Sequence, residues 1–309
     1  MLGLFKNRQD ESTRVGIHVQ PEGLALAVKT RNAGADRVKC DFVALDKGKD
    51  AGEALKTLVG KHRLQGKSAV FLLPQHHYSL LQTSSPPMPR QDLRAAARWK
   101  IGDLISFPVE QAVVDVFDYP ESGQRGTDRM LYVVAARADQ VRNEVMRARD
   151  AGLDLRAIDI SELALRNVVS RLEENQAGAM VLSLSEHSGL LVLIKQDEVY
   201  LARRLEIGFA ELEAAGQNML DDVVLELQRS LDYFESQFAQ PLPAKLLIYP
   251  PDKVSGELMM HIHSHMNLEV EPLILEKIPG FIFDNDEESQ SRCLLAVGAA
   301  LRDDDEATA

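Results

Sequence analysis

The sequence predicts an α/β protein of two domains, and three observations point there. A β-hairpin followed by a third strand, a helix and a buried strand is legible near residue 15 and again near residue 180. A chain of 309 residues is too long for one small core. Its 45% hydrophobic and 27% charged residues are the balance of a soluble globular protein. Duplicated three-stranded sheets with helices imply two α/β domains facing each other across a cleft.

The first hairpin comprises residues 15–19, a turn at Gln20-Pro21-Glu22-Gly23, and residues 24–28. A third strand near 38–45 and a helix over 50–62 follow. The apolar run Ala69-Val70-Phe71-Leu72-Leu73, closed by Pro74, suits a strand buried on both faces. Residues 84–89, rich in proline, read as a rigid connector into a helix over 90–104 with Leu93, Ala96, Ala97, Ile101 and Leu104 at core spacing. Strands over 112–119 and 130–136 flank a polar loop. A helix over 139–151 ends at Gly152, a residue that accepts the left-handed conformation. A strand over 155–160 leads to Ser161, read as the N-cap of a helix over 162–172. Residues 173–178 read as a linker.

The second half restarts the pattern with strands over 180–184, 190–194 and 199–205. Its next helix has the clearest periodicity in the chain: Leu220, Val223, Val224, Leu227, Leu231, Phe234 and Phe238 fall on one face. Pro241 and Pro243 stop it. A strand over 245–249, a Pro250-Pro251 turn, an amphipathic stretch to Met266, a strand over 268–273, an acidic loop over 276–290 and a helix over 292–301 complete the chain.

The formal charge is −12, with no basic stripe interleaved with aromatics, so nucleic-acid binding lacks its electrostatic footprint. No apolar stretch reaches the length of a membrane span. The apolar start Met1-Leu2-Gly3-Leu4-Phe5-Lys6 is too short for a signal peptide and reads as a frayed terminus able to touch a membrane only weakly. Cys40 and Cys293 form no pair motif, which fits a reduced, cytoplasmic setting. The acidic tail, 303–309, reads as disordered.

Several passages, taken in order, carry a family resemblance. They are Met88-Pro89-Arg90-Gln91-Asp92-Leu93, Ile105-Ser106-Phe107-Pro108, Val114-Asp115, Leu131-Tyr132-Val133-Val134-Ala135-Ala136, Ala151-Gly152-Leu153 and Ile158-Asp159-Ile160. Arg203-Arg204-Leu205-Glu206-Ile207-Gly208, Glu226 to Phe234 and Leu294 to Arg302 extend the series. Together they resemble the PilM family of type IV pilus assembly proteins, and the degraded phosphate motifs are most similar to the MshI branch, which serves mannose-sensitive haemagglutinin (MSHA) pili. The resemblance implies an actin-like, duplicated ribonuclease H-like fold related to FtsA. Its first domain would span 1–174 with an inserted subdomain at about 84–136, and its second 175–302. It implies a non-enzymatic scaffold at the cytoplasmic face of the inner membrane, bound to the cytoplasmic N-terminal peptide of a PilN-type membrane protein. Two other readings stay open: an ATP-binding PilM-like switch, and the cytoplasmic domain of a type II secretion platform protein.

An actin-like site holds nucleotide phosphates with two Asp-x-Gly hairpins, whose aspartates organise Mg²⁺ and whose glycines admit phosphate to the backbone. Here His18 and Gln20 occupy the first pair of positions and Ser183 and Ser185 the second. Pro250 and Pro251 replace the glycine run beside the adenosine, removing N–H donors and fixing φ. The expectation is therefore no ATP or Mg²⁺ cofactor, although the two serines retain the capacity to hydrogen-bond a phosphate. Arg98, Trp99 and Phe107 are the expected peptide contacts, since Trp and Arg are favoured interface anchors. Gly60 and Gly66-Lys67-Ser68 mimic a phosphate loop but have the wrong spacing and lie between helix and strand, so they read as a turn. His261, His263 and His265 read as a surface cluster on a helix, and His76-His77 is similarly plain.

Overall fold

The computed structural model describes residues 12–32, 34–45, 50–121, 129–215, 217–251, 253, 256–284 and 291–303. The apolar start, the loop over 122–128 and residues 304–309 of the acidic tail lie outside the described residues. The chain forms two compact units, each discontinuous in sequence. One is Met1–Pro74, Arg142–Ala164 and Gly280–Ala309; the other is Gln75–Val141 and Leu165–Pro279.

In the first unit, β1 (Thr13–Gln20), β2 (Gly23–Thr30) and β3 (Asp36–Ala44) form an antiparallel meander. Helix α1 (Ala51–His62) crosses over to β4 (Ser68–Leu72), which lies parallel to β1. Asp50 caps α1 by accepting from the Gly52 amide at 2.8 Å. The run read as doubly buried is so: Ala69 and Phe71 join the core that includes Leu55 and Leu58, and Val70 and Leu72 join a second cluster with Ala164 and Ala299. Gly66, with φ of 71°, makes the turn between α1 and β4.

The second unit opens with β5 (Tyr78–Ser84), α2 (Arg90–Lys100), β6 (Ala112–Asp118) and β7 (Met130–Arg137), a three-stranded sheet ordered β5-β7-β6. The chain continues through α3 (Ala138–Asp150) into β8 (Asp154–Asp159), which pairs with β4, and α4 (Ser161–Val169). Then β9 (Ala179–Leu184), β10 (Gly189–Lys195) and β11 (Glu198–Leu205) repeat the meander. Helices α5 (Phe209–Ala215) and α6 (Gln217–Phe238) precede β12 (Lys245–Tyr249), parallel to β9. After α7 (Gly256–His265) come β13 (Glu269–Pro272), β14 (Phe281–Phe283) and α8 (Leu294–Ala300).

The two main sheets share one strand order. The first runs β14-β3-β2-β1-β4-β8 and the second β11-β10-β9-β12-β13. Apart from the added β14, each is third, second, first, fourth, fifth, with the last two parallel to the first. This is the duplication read from the sequence, and it defines an actin-like α/β fold. All seven periodic residues of α6 are buried.

The units differ from a division at residue 174 in two respects. Helix α8 packs on β1, β2 and β4 of the first sheet. The reason is small residues at close approach: a Cβ on Gly16 would lie 1.9 Å from the Ala296 carbonyl oxygen, and one on Gly298 would lie 2.1 Å from that of Ala164. The three-stranded sheet groups with the second main sheet. There Tyr119 stacks on Phe238 with ring centroids 5.6 Å apart and bonds the Tyr233 hydroxyl at 3.0 Å. Arg204 covers the Tyr78 ring and donates to the Tyr78 carbonyl at 3.2 Å.

Candidate functional site

The strand period places Gly16, His18 and Gln20 on one face of β1, and Val15 and Ile17 on the other. The first face is the one α8 covers. Gln20 Nε2 donates to the Arg292 carbonyl at 3.2 Å, and the Arg292 guanidinium lies 4.8 Å from the Phe42 ring centroid. His18 is buried, 8% exposed, and burial pulls its pKa from 6.5 to about 4. It is therefore neutral at pH 7. A cross-strand row of Phe42, Ala25, His18, Leu72 and Asp159 runs across the sheet. The carboxylate at its end is already engaged: Arg302 Nη1 meets Asp159 Oδ2 at 2.6 Å. Gln20 anchors the segment leading into α8 through its bond to the Arg292 carbonyl.

The second hairpin is filled differently. Ser183 sits in β9, paired with Leu190 on one side and Tyr249 on the other, so the Pro250 turn directly follows its partner strand. Ser185 closes the turn on itself: its amide and hydroxyl both donate to the Ser188 carbonyl, at 2.8 and 3.0 Å, and the two hydroxyls meet at 2.7 Å. The first amides of α5 are committed as well. Phe209 N–H donates to the Ser185 carbonyl and Ala210 N–H to the Glu186 carbonyl, each at 3.0 Å. Gly208 N–H donates to Glu211 at 2.9 Å, and His187 lies 3.0 Å from the same carboxylate and holds it below the usual carboxylate range. A Cβ on Gly208 would lie 2.4 Å from the Glu186 carbonyl oxygen, so only glycine fits there. Pro250 is buried and Pro251 exposed, and Lys253 N–H donates to the Pro250 carbonyl at 3.3 Å.

The three expected peptide contacts have separate environments on the three-stranded sheet. Trp99, on α2, is 82% exposed. Leu104 and Val113 are also exposed. Arg98 is structural: its Nε donates to the Val109 carbonyl at 3.1 Å, and Nη2 reaches the carbonyls of Glu110 and Ala112. Phe107 is half-buried under the Arg137 guanidinium, 5.8 Å from its ring centroid. Of the three, Trp99 alone presents its side chain to solvent.

Sequence reasoning missed two further contacts. The Arg302–Asp159 pair spans 143 residues, and its only signal was a lone aspartate between isoleucines. Cys40 and Cys293 also meet. Hydrogen bonding to Cys40, together with burial, raises the Cys293 thiol well above its ordinary pKa, and Sγ lies 3.6 Å from the Asp41 carbonyl oxygen. Both cysteines are buried and neither is in a disulfide. Among the described residues, no group of three metal-ligating side chains is assembled, and the histidines of α7 make local bonds, His261 to Asp221 at 2.8 Å. Among the same residues no helix is long and apolar enough to cross a membrane.

The duplicated sheets and their shared strand order define the class, an actin-like α/β protein. No family model and no curated protein matches the chain. It is similar to a solved structure described as a PilM-PilN type IV pilus biogenesis complex, at 22% identity and a TM-score of 0.74, over 94% of this chain and 98% of that one. It is also similar to the cytoplasmic domain of EpsL, an inner-membrane component of the type II secretion system of Vibrio cholerae. There the identity is 14% and the TM-score 0.54, over 94% and 96% of the two chains.

Proposed function

We propose that this chain is a non-enzymatic scaffold of a type IV pilus assembly platform, of the MSHA kind, at the cytoplasmic face of the inner membrane. It captures the cytoplasmic N-terminal peptide of a PilN-type membrane protein. The observation that carries the reading is end-to-end similarity to a protein solved in a PilM-PilN complex, matched over 94% of this chain. Trp99 is the anchor this surface offers, at 82% exposure. Fluorescence anisotropy with a labelled PilN-type N-terminal peptide tests it on the full chain. Trp99→Ala is expected to weaken binding by about 2 kcal/mol, roughly thirty-fold, with an unchanged melting temperature. A folded chain that fails to bind the peptide sinks the proposal; binding that ignores Trp99 moves the groove elsewhere.

The likeness to the EpsL cytoplasmic domain supports a second reading, a type II secretion platform component. Preference for a peptide from a secretion-system partner over the PilN-type peptide would select it.

A further inference from the structure

We propose that the outer edge of β5 accepts an added strand, an extended peptide of alternating apolar and polar residues held by backbone hydrogen bonds. The inference rests on the peptide-capture reading above and supplies its mode of binding. In the three-stranded sheet β7 is central, and β5 and β6 are the two edges. Ala136 of β7 lies opposite Tyr78 on one side and Val113 on the other. Ser85 N–H donates to the Arg129 carbonyl at 2.6 Å, one pair beyond the end of the β5–β7 ladder. In an antiparallel ladder a residue turns both backbone groups to one side, and its neighbours turn theirs to the other. The odd-numbered residues of β5 therefore bond β7, while Tyr78, Leu80, Gln82 and Ser84 turn their backbone groups outward. By the same alternation Ala112, Val114 and Val116 face outward from β6.

The two edges are finished differently. On β6, Arg98 Nη2 donates to the Ala112 carbonyl, and the Asp115 carboxylate accepts from Val116 N–H at 2.9 Å. Arg94 meets the same carboxylate at 2.7 Å. These charged side chains occupy groups that a further strand would need, which protects the edge from pairing. On β5 the ends are occupied: Arg204 donates to the Tyr78 carbonyl at 3.2 Å and Lys100 Nζ to the Ser84 carbonyl at 2.8 Å. Between them the N–H and C=O of Leu80 and Gln82 have no partner among the described residues.

Two unlike walls border this open stretch, all within the second unit. Lys100 reaches Ser84, so α2 turns toward β5 the flank that Lys100 shares with Ala96, one turn earlier. Trp99, 82% exposed, adjoins that flank, and Leu81 packs on the cluster of Ala97, Ile101 and Val133 beneath α2. On the other face Tyr233 of α6 donates to Gln82 Oε1 at 3.3 Å, and Arg204 of β11 covers the Tyr78 ring. Alternate side chains of an added strand would thus meet an apolar wall and a polar one. Main-chain bonds supply affinity in this mode, and the two walls supply specificity.

Fluorescence anisotropy of the full chain with the PilN-type N-terminal peptide, N-methylated at one residue at a time, tests it. Each methyl removes one N–H donor. Methylation at two positions, two residues apart, should weaken binding about ten-fold each, and at the residue between them by under about two-fold, since that N–H points away from β5. On the protein, Gln82→Pro removes an outward N–H where an edge strand tolerates proline, whereas Gln82→Ala removes only the side chain. The first should weaken binding about ten-fold and the second by under about two-fold. Thermal melts establish that both variants fold, and the methylation series needs no variant at all. A methylation profile without the two-residue period, or equal affinity of the folded Gln82→Pro and Gln82→Ala proteins, would overturn strand addition while leaving peptide capture in place. A folded chain that does not bind the unmethylated peptide would sink both.

Discussion

The two main sheets share a strand order and differ in what fills their first hairpins. In the first sheet the hairpin holds a buried, neutral His18 under α8. In the second, Ser183 and Ser185 are half-buried, and Ser185 is tied to Ser188 in a turn that consumes its own amide. One hairpin is filled by packing, and the other satisfies its hydrogen-bond donors internally. Strand order thus constrains the backbone far more tightly than it constrains the chemistry at the hairpin tips.

The contrast is broken most severely by removing the cation that holds Asp159. Its side chain is 2% exposed in the pair with Arg302. Arg302→Met leaves that carboxylate buried without its cation, at an expected cost of about 3 to 5 kcal/mol in urea unfolding. An ion-pair cluster of the second sheet has more open acids: Lys245 shares Glu174, Glu269 and Glu271, whose side chains are 26, 63 and 40% exposed. Lys245→Met should cost under about 1 kcal/mol. Equal losses would show that both pairs sit in the same dielectric.

Next comes the close approach of α8. Gly16→Ala drives a Cβ into backbone at 1.9 Å, whereas a Cβ on Gly189 in the second hairpin meets its nearest atom at 3.0 Å. A loss of about 3 kcal/mol is expected at Gly16, the upper end for overpacking, and about 1 kcal/mol at Gly189. A Gly16→Ala protein of wild-type stability would mean that α8 does not clamp this face.

Much of this was legible from periodicity, and the failures have physical causes. The hairpins, the doubly buried β4 and the α6 face follow from local apolar spacing. Strand β5 escaped because Tyr78-Ser79-Leu80-Leu81-Gln82-Thr83-Ser84 has no clean alternation and runs into a proline connector. The place of α8 escaped because Ala296, Gly298 and Ala299 carry no directional signal; their small size matters only beside Gly16 and Ala164. Arg98 had the right chemistry for an interface but serves the turn over 109–112, and no spacing rule foretells a guanidinium folding back on backbone carbonyls.

His18 gives the first hairpin a pH dependence that the second lacks a buried histidine to match. Its folded pKa, about 4, lies below the ordinary 6.5. The unfolded chain therefore binds the proton more readily, stability is fully present above pH 6.5, and it falls as the pH drops toward 4. Between pH 6.5 and 5 the loss should be about 2 kcal/mol, and His18→Gln should flatten that slope in urea midpoints recorded across the range. An unchanged slope would place the titrating group elsewhere.

The smallest expected effect is the response to nucleotide. Calorimetric titration with Mg²⁺-ATP should detect no affinity tighter than about millimolar, equivalent to roughly 4 kcal/mol of binding energy. The comparison of hairpins sharpens this into a repair experiment. His18→Asp with Gln20→Gly restores the first motif in sequence, yet places a carboxylate beneath α8 and removes the bond to Arg292, so that variant should lose stability without gaining ATP affinity. Ser183→Asp with Ser185→Gly adds charge in the second hairpin, where the amides of Phe209 and Ala210 remain tied to the carbonyls of residues 185 and 186. It too should stay silent. Micromolar binding by the unmodified chain would favour a nucleotide-dependent switch over a scaffold, and binding gained by one repaired hairpin alone would show that its partner hairpin had kept phosphate chemistry through its serines or its histidine.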